Sequence, residues 1–156
     1  MRTWKVPGFV NYFFRYVSRL DNIYKGTAMD ALVCDVNHFH SVNKQYGRQF
    51  GHNVLRIMGS SMKKTARKTG GIACRQKADT FLLYCPHQDD FETILNEFKS
   101  EVYADKEIKE RISIRIGLYS NAQQESEVEE RYAHAKAAAE KVRDDPDSLC
   151  GLYEVS

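Results

Sequence analysis

A chain of 156 residues with 42% hydrophobic and 28% charged content has the size of one domain with a proper core and leaves no room for a second. Its 23 basic and 21 acidic residues are intermixed and sum to +2, so the concentrated positive face of a DNA or RNA binder is missing and no nucleic-acid partner is expected. No uninterrupted apolar stretch approaches the ~20 residues that cross a bilayer, and the start, Met1-Arg2-Thr3-Trp4-Lys5, does not lead into a signal-peptide apolar run, so direct membrane insertion is not expected and the reading is cytoplasmic.

Phe9, Phe13, Val17 and Leu20 recur at helical spacing behind Pro7-Gly8, which predicts an amphipathic helix over 9–20 lying on a sheet. Tyr12, Phe13, Phe14 and Tyr16 exceed what one buried stripe uses, and the excess is either ordinary surface or a contact with a neighbouring domain or a second copy. The apolar run 28–36 predicts a buried strand with Asp35 at its carboxyl end. Helices follow over 41–46 and 50–68, the second with Val54, Leu55, Ile57, Met58 and Met62 on one face and Gly70-Gly71 as its stop. The basic run from Met62 to Lys68 reads as the solvated end of that helix.

Runs 72–75 and 81–85 predict an antiparallel hairpin with Asp79 at its tip. Beyond Pro86, a helix over 90–102, an alternating strand over 111–119 and an alanine-rich helix over 126–142 are expected, the last opened by a Ser126/Glu129 capping box. Residues 151–155 close the sheet. Cys34, Cys74, Cys85 and Cys150 lack the close spacings of zinc or dithiol sites, and reduced, buried thiols are expected. His38, His40 and His52 lack the ligand spacing of a zinc site, and the chain has neither G-x-x-x-x-G-K-[ST] nor G-x-G-x-x-G. The order of elements predicts an α/β (α+β) fold, one central mixed and mostly antiparallel sheet of about five strands flanked by helices.

Asp35, Phe39, Asn43, Gly47, Gly51 and Leu55 fall without a gap on D-x-D-x-F-K-x-x-N-D-x-x-G-H-x-x-G-D-x-x-L. This stretch resembles the GGDEF, or diguanylate-cyclase-like, family. Pro7-Gly8-Phe9-Val10-Asn11 stands where that family has T-G-L-x-N, and Ile114-Arg115-Ile116-Gly117 where it has a strand ending in S-I-G. Residues 133–141 lie over A-D-x-A-L-Y-x-A-K, and the signature R-Y-G-G-D/E-E-F appears as Arg75-Gln76-Lys77-Ala78-Asp79-Thr80-Phe81.

The resemblance implies a nucleotide-cyclase, palm-like fold and a reaction that condenses two GTP molecules into cyclic di-GMP with divalent ions on the triphosphate. It implies Asp35, the Val36 carbonyl and Asp79 as Mg²⁺ ligands, and Asn43, His52 and Lys141 as nucleotide contacts. Departures weaken each part. Thr80 and Asn37 stand where the family has acids, so metal affinity and charge stabilisation fall. Lys77 and Ala78 replace two glycines whose missing Cβ atoms let a phosphate approach. His52 replaces a carboxylate acceptor for guanine, a loss on the order of 1–3 kcal/mol. Asp145 puts an anion where the family has an arginine, and the R-x-x-D product site falls on Lys68-Thr69-Gly70-Gly71, where it is absent.

The sequence therefore reads as a single degenerate GGDEF domain over 1–156, a piece of a larger signalling protein. It is expected to be catalytically weak or inactive, with a vestigial signature Lys77, Ala78, Asp79, Thr80 and Phe81, and to act as a regulatory or nucleotide-sensing module. Weak Mg²⁺ binding, GTP or another nucleotide as ligand, an adjacent sensor or EAL-type domain as partner, and a homodimer belong to the same expectation. Two alternatives stay open at this stage: a working diguanylate cyclase, and an interaction module with an empty pocket.

Overall fold

The central strand β1 (Met29–Val36) is buried at every position, so it reads as a continuous apolar run and not as an alternating one. The computed structural model describes residues 9–154, with side chains from residue 12, and in it β1 pairs antiparallel with β3 (Phe81–Pro86) on one side and β4 (Ile114–Tyr119) on the other. With β2 (Ile72–Arg75) beside β3 and β5 (Gly151–Tyr153) beside β4, the five strands lie in the order β2-β3-β1-β4-β5, and only the β4–β5 pair is parallel. The palm-like mixed sheet expected from the sequence is the fold. The stretch Pro7 to Asn11 and the strand end at Val155 lie outside the residues whose side chains are described.

Period-two alternation divides the sheet's neighbours. Leu32, Cys34 and Val36 face a core with Val54, Met58 and Met62 of α3 (Arg48–Thr69), Leu95 and Phe98 of α4 (Phe91–Val102), and α2 (Phe39–Tyr46) at its edge. Ala31 and Val33 face Phe13 and Val17 of α1 (Phe9–Ile23) and Tyr132 and Ala135 of α6 (Val128–Lys141). Asp35, in step with Val33, lies on the α1/α6 side. Phe13 and Phe14 pack on Tyr132 at 5.8 and 5.9 Å, which accounts for half of the aromatic cluster on α1. Tyr12 and Tyr16 are exposed beneath the guanidiniums of Arg15 and Arg19.

Four local expectations are corrected. Strand β4 starts at Ile114, because residues before it form a short helix, α5 (Lys106–Arg111), capped by the Asp105 carboxylate on the Ile108 N–H and anchored by buried Ile108. Six residues are too few for periodicity to announce a helix. Arg111 lies over Tyr46 and Phe50 at 4.5 and 5.0 Å instead of in the sheet. No capping box opens α6, whose N-cap is Glu127 with no side-chain cap bond; Glu129 and Glu130 in the first turn complement the helix dipole instead. Helix α2 also starts earlier than 41, at Phe39, behind His38 in the left-handed region at φ 55°. The basic run on α3 is not merely solvated, since Lys64 and Lys68 reach Glu101 and Glu97 of α4 at 3.1 Å; at such exposure these pairs contribute little, roughly 0–1 kcal/mol.

Cys34, Cys74 and Cys85 are buried and all four cysteines are free; burial pushes the Cys74 and Cys85 thiols up to about 12, so they are inert core groups. Asp30 is fully buried, its oxygens 2.8 Å from the His87 Nδ1 and 3.2 Å from the Asn121 N–H that donates to it. Burial pushes its carboxyl above the ordinary aspartate range, more than His87 and Asn121 pull it down. A carboxyl raised on folding contributes stability at pH below its unfolded value and loses that contribution as pH rises through the folded one. Asp30→Asn should therefore be at least as stable as the parent at neutral pH, and its advantage should shrink on acidification, as read by urea unfolding at the two ends.

Candidate functional site

The carboxyl end of β1 meets the β2–β3 turn and the last turns of α6, and here Asp35, Asp79, Arg115 and Glu140 come together. The register sets Asp35 directly opposite Arg115 on β4. The guanidinium forks onto the carboxylate: Arg115 Nε donates to Asp35 Oδ1 and Nη2 to Oδ2, both at 2.7 Å. Only 12% of the arginine and 6% of the aspartate side chain is exposed, so this is a buried, bidentate pair. Arg115 Nη1 also reaches Glu140 Oε2 at 3.3 Å, and Arg143 stands behind that carboxylate at 3.5 Å. These hydrogen bonds hold the guanidinium charged, its proton affinity raised chiefly by Asp35.

Asp79 lies across the strand end, where its Oδ2 accepts the Val36 N–H at 3.3 Å. Burial, and then the charge of Asp35, push its carboxyl above the usual range. The turn itself is tied by Gln76 N–H to the Thr80 carbonyl at 2.8 Å and by Arg75 Nε to the Lys77 carbonyl at 3.1 Å. Lys77 and Ala78 are exposed at the tip, whereas Thr80 and Phe81 are buried. A cavity of about 200 Å³ opens beside the turn on the same face of the sheet, lined by Phe14, Val33, Gln76, Lys77, Tyr132 and Lys136.

Asp35, Val36 and Asp79 are thus brought together. Asn43 lies on α2, its Oδ1 buried without a hydrogen-bond partner and lodged where a Cβ on Gly51 would have to be, 1.9 Å from that position. His52, next to Gly51 on α3, is exposed. Lys141 is exposed and makes no side-chain hydrogen bond or ion pair among the described residues. The neighbouring Glu140 reaches the strand end in its stead.

Residues 11–148 match the family described as diguanylate cyclase, GGDEF domain. The chain belongs to the GGDEF family. Among curated proteins, diguanylate cyclase VdcA of Vibrio cholerae serotype O1 is 29% identical over 66 residues, which is 42% of this chain and only 19% of that protein. The GGDEF domain of DgcB from Caulobacter crescentus in complex with c-di-GMP superposes with a TM-score of 0.73 at 22% identity, over 94% of this chain and 89% of that one. The active GGEEF domain of a Vibrio cholerae diguanylate cyclase gives 0.72 at 17%, over 92% and 93%. The GGDEF domain also fits within Vibrio cholerae LapD S helix-GGDEF-EAL bound to c-di-GMP, with 0.62 at 16%, over 90% of this chain and 34% of that one.

Within this GGDEF domain the residues as arranged do not fit a divalent ion. Magnesium takes near-octahedral oxygen ligands. Both Asp35 oxygens are engaged by a guanidinium, one Asp79 oxygen is bonded to the backbone, and no group of three His, Cys, Asp or Glu side chains is placed to hold a metal among the described residues. Sequence reasoning passed over Arg115 and Glu140. The alternation Ile114-Arg115-Ile116 reads as a solvent-facing arginine, and only the β1–β4 register shows that it meets Asp35.

Proposed function

We propose that this GGDEF domain works in cyclic di-GMP signalling as a regulatory module without cyclase turnover, controlling an attached output domain such as an EAL-type phosphodiesterase. The observation that carries the proposal is the signature turn. Its two exposed tip residues, Lys77 and Ala78, carry side chains where a phosphate would need bare backbone, and its one acid, Asp79, folds back onto the Val36 N–H. The acid's neighbour is the neutral, buried Thr80. Joining two triphosphates requires charge stabilisation at the reacting phosphorus, and a turn of this composition supplies too little of it.

Regulation needs no chemistry, only different affinity for two states of a partner. The GGDEF–EAL arrangement of the LapD relative supports a partner of that kind. The test is incubation of the purified chain with GTP and Mg²⁺ or Mn²⁺, followed by chromatography of the nucleotides. GTP should return unchanged, and accumulating cyclic di-GMP would overturn the proposal.

A further inference from the structure

We infer that the guanidinium of Arg115 is the resident cation of the β1 strand end, holding Asp35 in the place of a divalent ion, so that this part of the domain is complete without metal. The inference deepens the proposed function and rests on the same strand end, but it makes a separate claim about ion binding.

Four observations converge on Arg115. Its two bonds to Asp35 are equal at 2.7 Å and use the planar fork that matches a carboxylate, which satisfies both oxygens at once. The pairing is built into the sheet, since the two residues are directly opposite in the β1–β4 register and need no flexible search to meet. Both side chains are nearly excluded from water, where a carboxylate is tolerated only with its charge balanced. Finally, Glu140 and Arg143 extend the cluster so that two carboxylates alternate with two guanidiniums. A doubly charged ion entering it would meet a fixed positive group and a carboxylate whose two oxygens are both already bonded to that group.

The sequence position sharpens the point. Arg115 stands where the S-I-G strand pattern carries serine, a residue that leaves Asp35 without a countercharge. Arg115→Ser should therefore uncover a divalent-cation site formed by Asp35, Asp79 and neighbouring backbone oxygen.

The experiment is titration of the full chain with Mn²⁺, followed by calorimetry and by melting temperature, for the parent, R115S and R115S/D35N. The parent should show no saturable site at the strand end. R115S should gain one site at least about tenfold tighter than any in the parent, should melt higher with Mn²⁺ than without, and should lose both gains when Asp35 is also changed. If R115S folds only when Mn²⁺ is added, that recovery is the same supporting result. Arg115→Gln, which fills more of the space with a neutral group, is the companion variant, and a folded R115Q and R115S that bind no more Mn²⁺ than the parent would overturn the inference. So would a stoichiometric Mn²⁺ site in the parent that Asp35→Asn abolishes. A parent that binds Mn²⁺ there yet makes no cyclic di-GMP sinks this inference alone, whereas cyclic di-GMP in the products sinks the proposed function.

Discussion

Arg115→Ala should destabilise the domain by about 3–5 kcal/mol at neutral pH. The reason is the partner left behind. Asp35 is 5% exposed, and without the fork it keeps its desolvation cost with no cation to offset it. Glu140 loses its contact at 3.3 Å as well and is left to Arg143. A double-mutant cycle in urea with D35A is the measurement: each single change should be costly, and the double should cost much less than their sum, because removing both charges together leaves nothing unpaired. Added salt should barely alter the coupling, in contrast to the exposed Lys64–Glu101 and Lys68–Glu97 pairs. Additive losses would mean that the two side chains do not share their energy in solution.

Gly117→Ala is expected to be comparably damaging for a steric reason. A Cβ at Gly117 would lie 1.8 Å from the Ala135 carbonyl oxygen and 2.6 Å from the Ala139 nitrogen, both backbone atoms of α6. A helix backbone cannot step aside at one residue, so α6 must lift from the sheet. Gly151 on β5 is under the same helix, 1.9 Å from the Ala138 carbonyl oxygen by the same measure, and Glu140 would be drawn off Arg115. The cost should reach or pass the upper end of the roughly 1–3 kcal/mol typical of overpacking, and at about 2–4 °C per kcal/mol the fall in melting temperature is easily seen. Gly59→Ala supplies the contrast. There the added methyl meets only the Phe81 ring at 3.6 Å, an ordinary contact, and it replaces a glycine inside α3. That variant should be neutral or more stable by about 0.5–1 kcal/mol. Equal losses at the two positions would refute the close helix–sheet approach.

The sheet was legible in the sequence because its strands are largely apolar runs of strand length, and the spacing of residues 72–75 and 81–85 argued for a hairpin. The family was legible because Asp35, Phe39, Asn43, Gly47, Gly51 and Leu55 keep one register. What stayed hidden depends on distance along the chain or on phase. Arg115 and Asp35 are 80 positions apart, and their meeting requires the β1–β4 register, where a slip of one residue would put the arginine on the opposite face. The phase of α6 is equally hard to read: Ala133, Ala135, Ala137, Ala138 and Ala139 look alike in sequence, although only Ala135, Ala138 and Ala139 are buried. Laying that helix on the family pattern directs attention to Lys141, whereas the packing turns Glu140 toward the site. Helix α5 is too short, and Arg111 too ambiguous beside a strand, for pattern alone to separate them.

The most direct measurement is the side-chain Nε–H resonance of Arg115 in ¹⁵N-labelled protein, assigned by its loss in R115Q and followed as Mn²⁺ is added. A fork locked onto Asp35 predicts a single, slowly exchanging signal that stays sharp in the presence of the paramagnetic ion and disappears into solvent exchange in D35N. A signal absent from the parent, or one erased by an equivalent of Mn²⁺, would contradict a strand end whose cation is its own arginine.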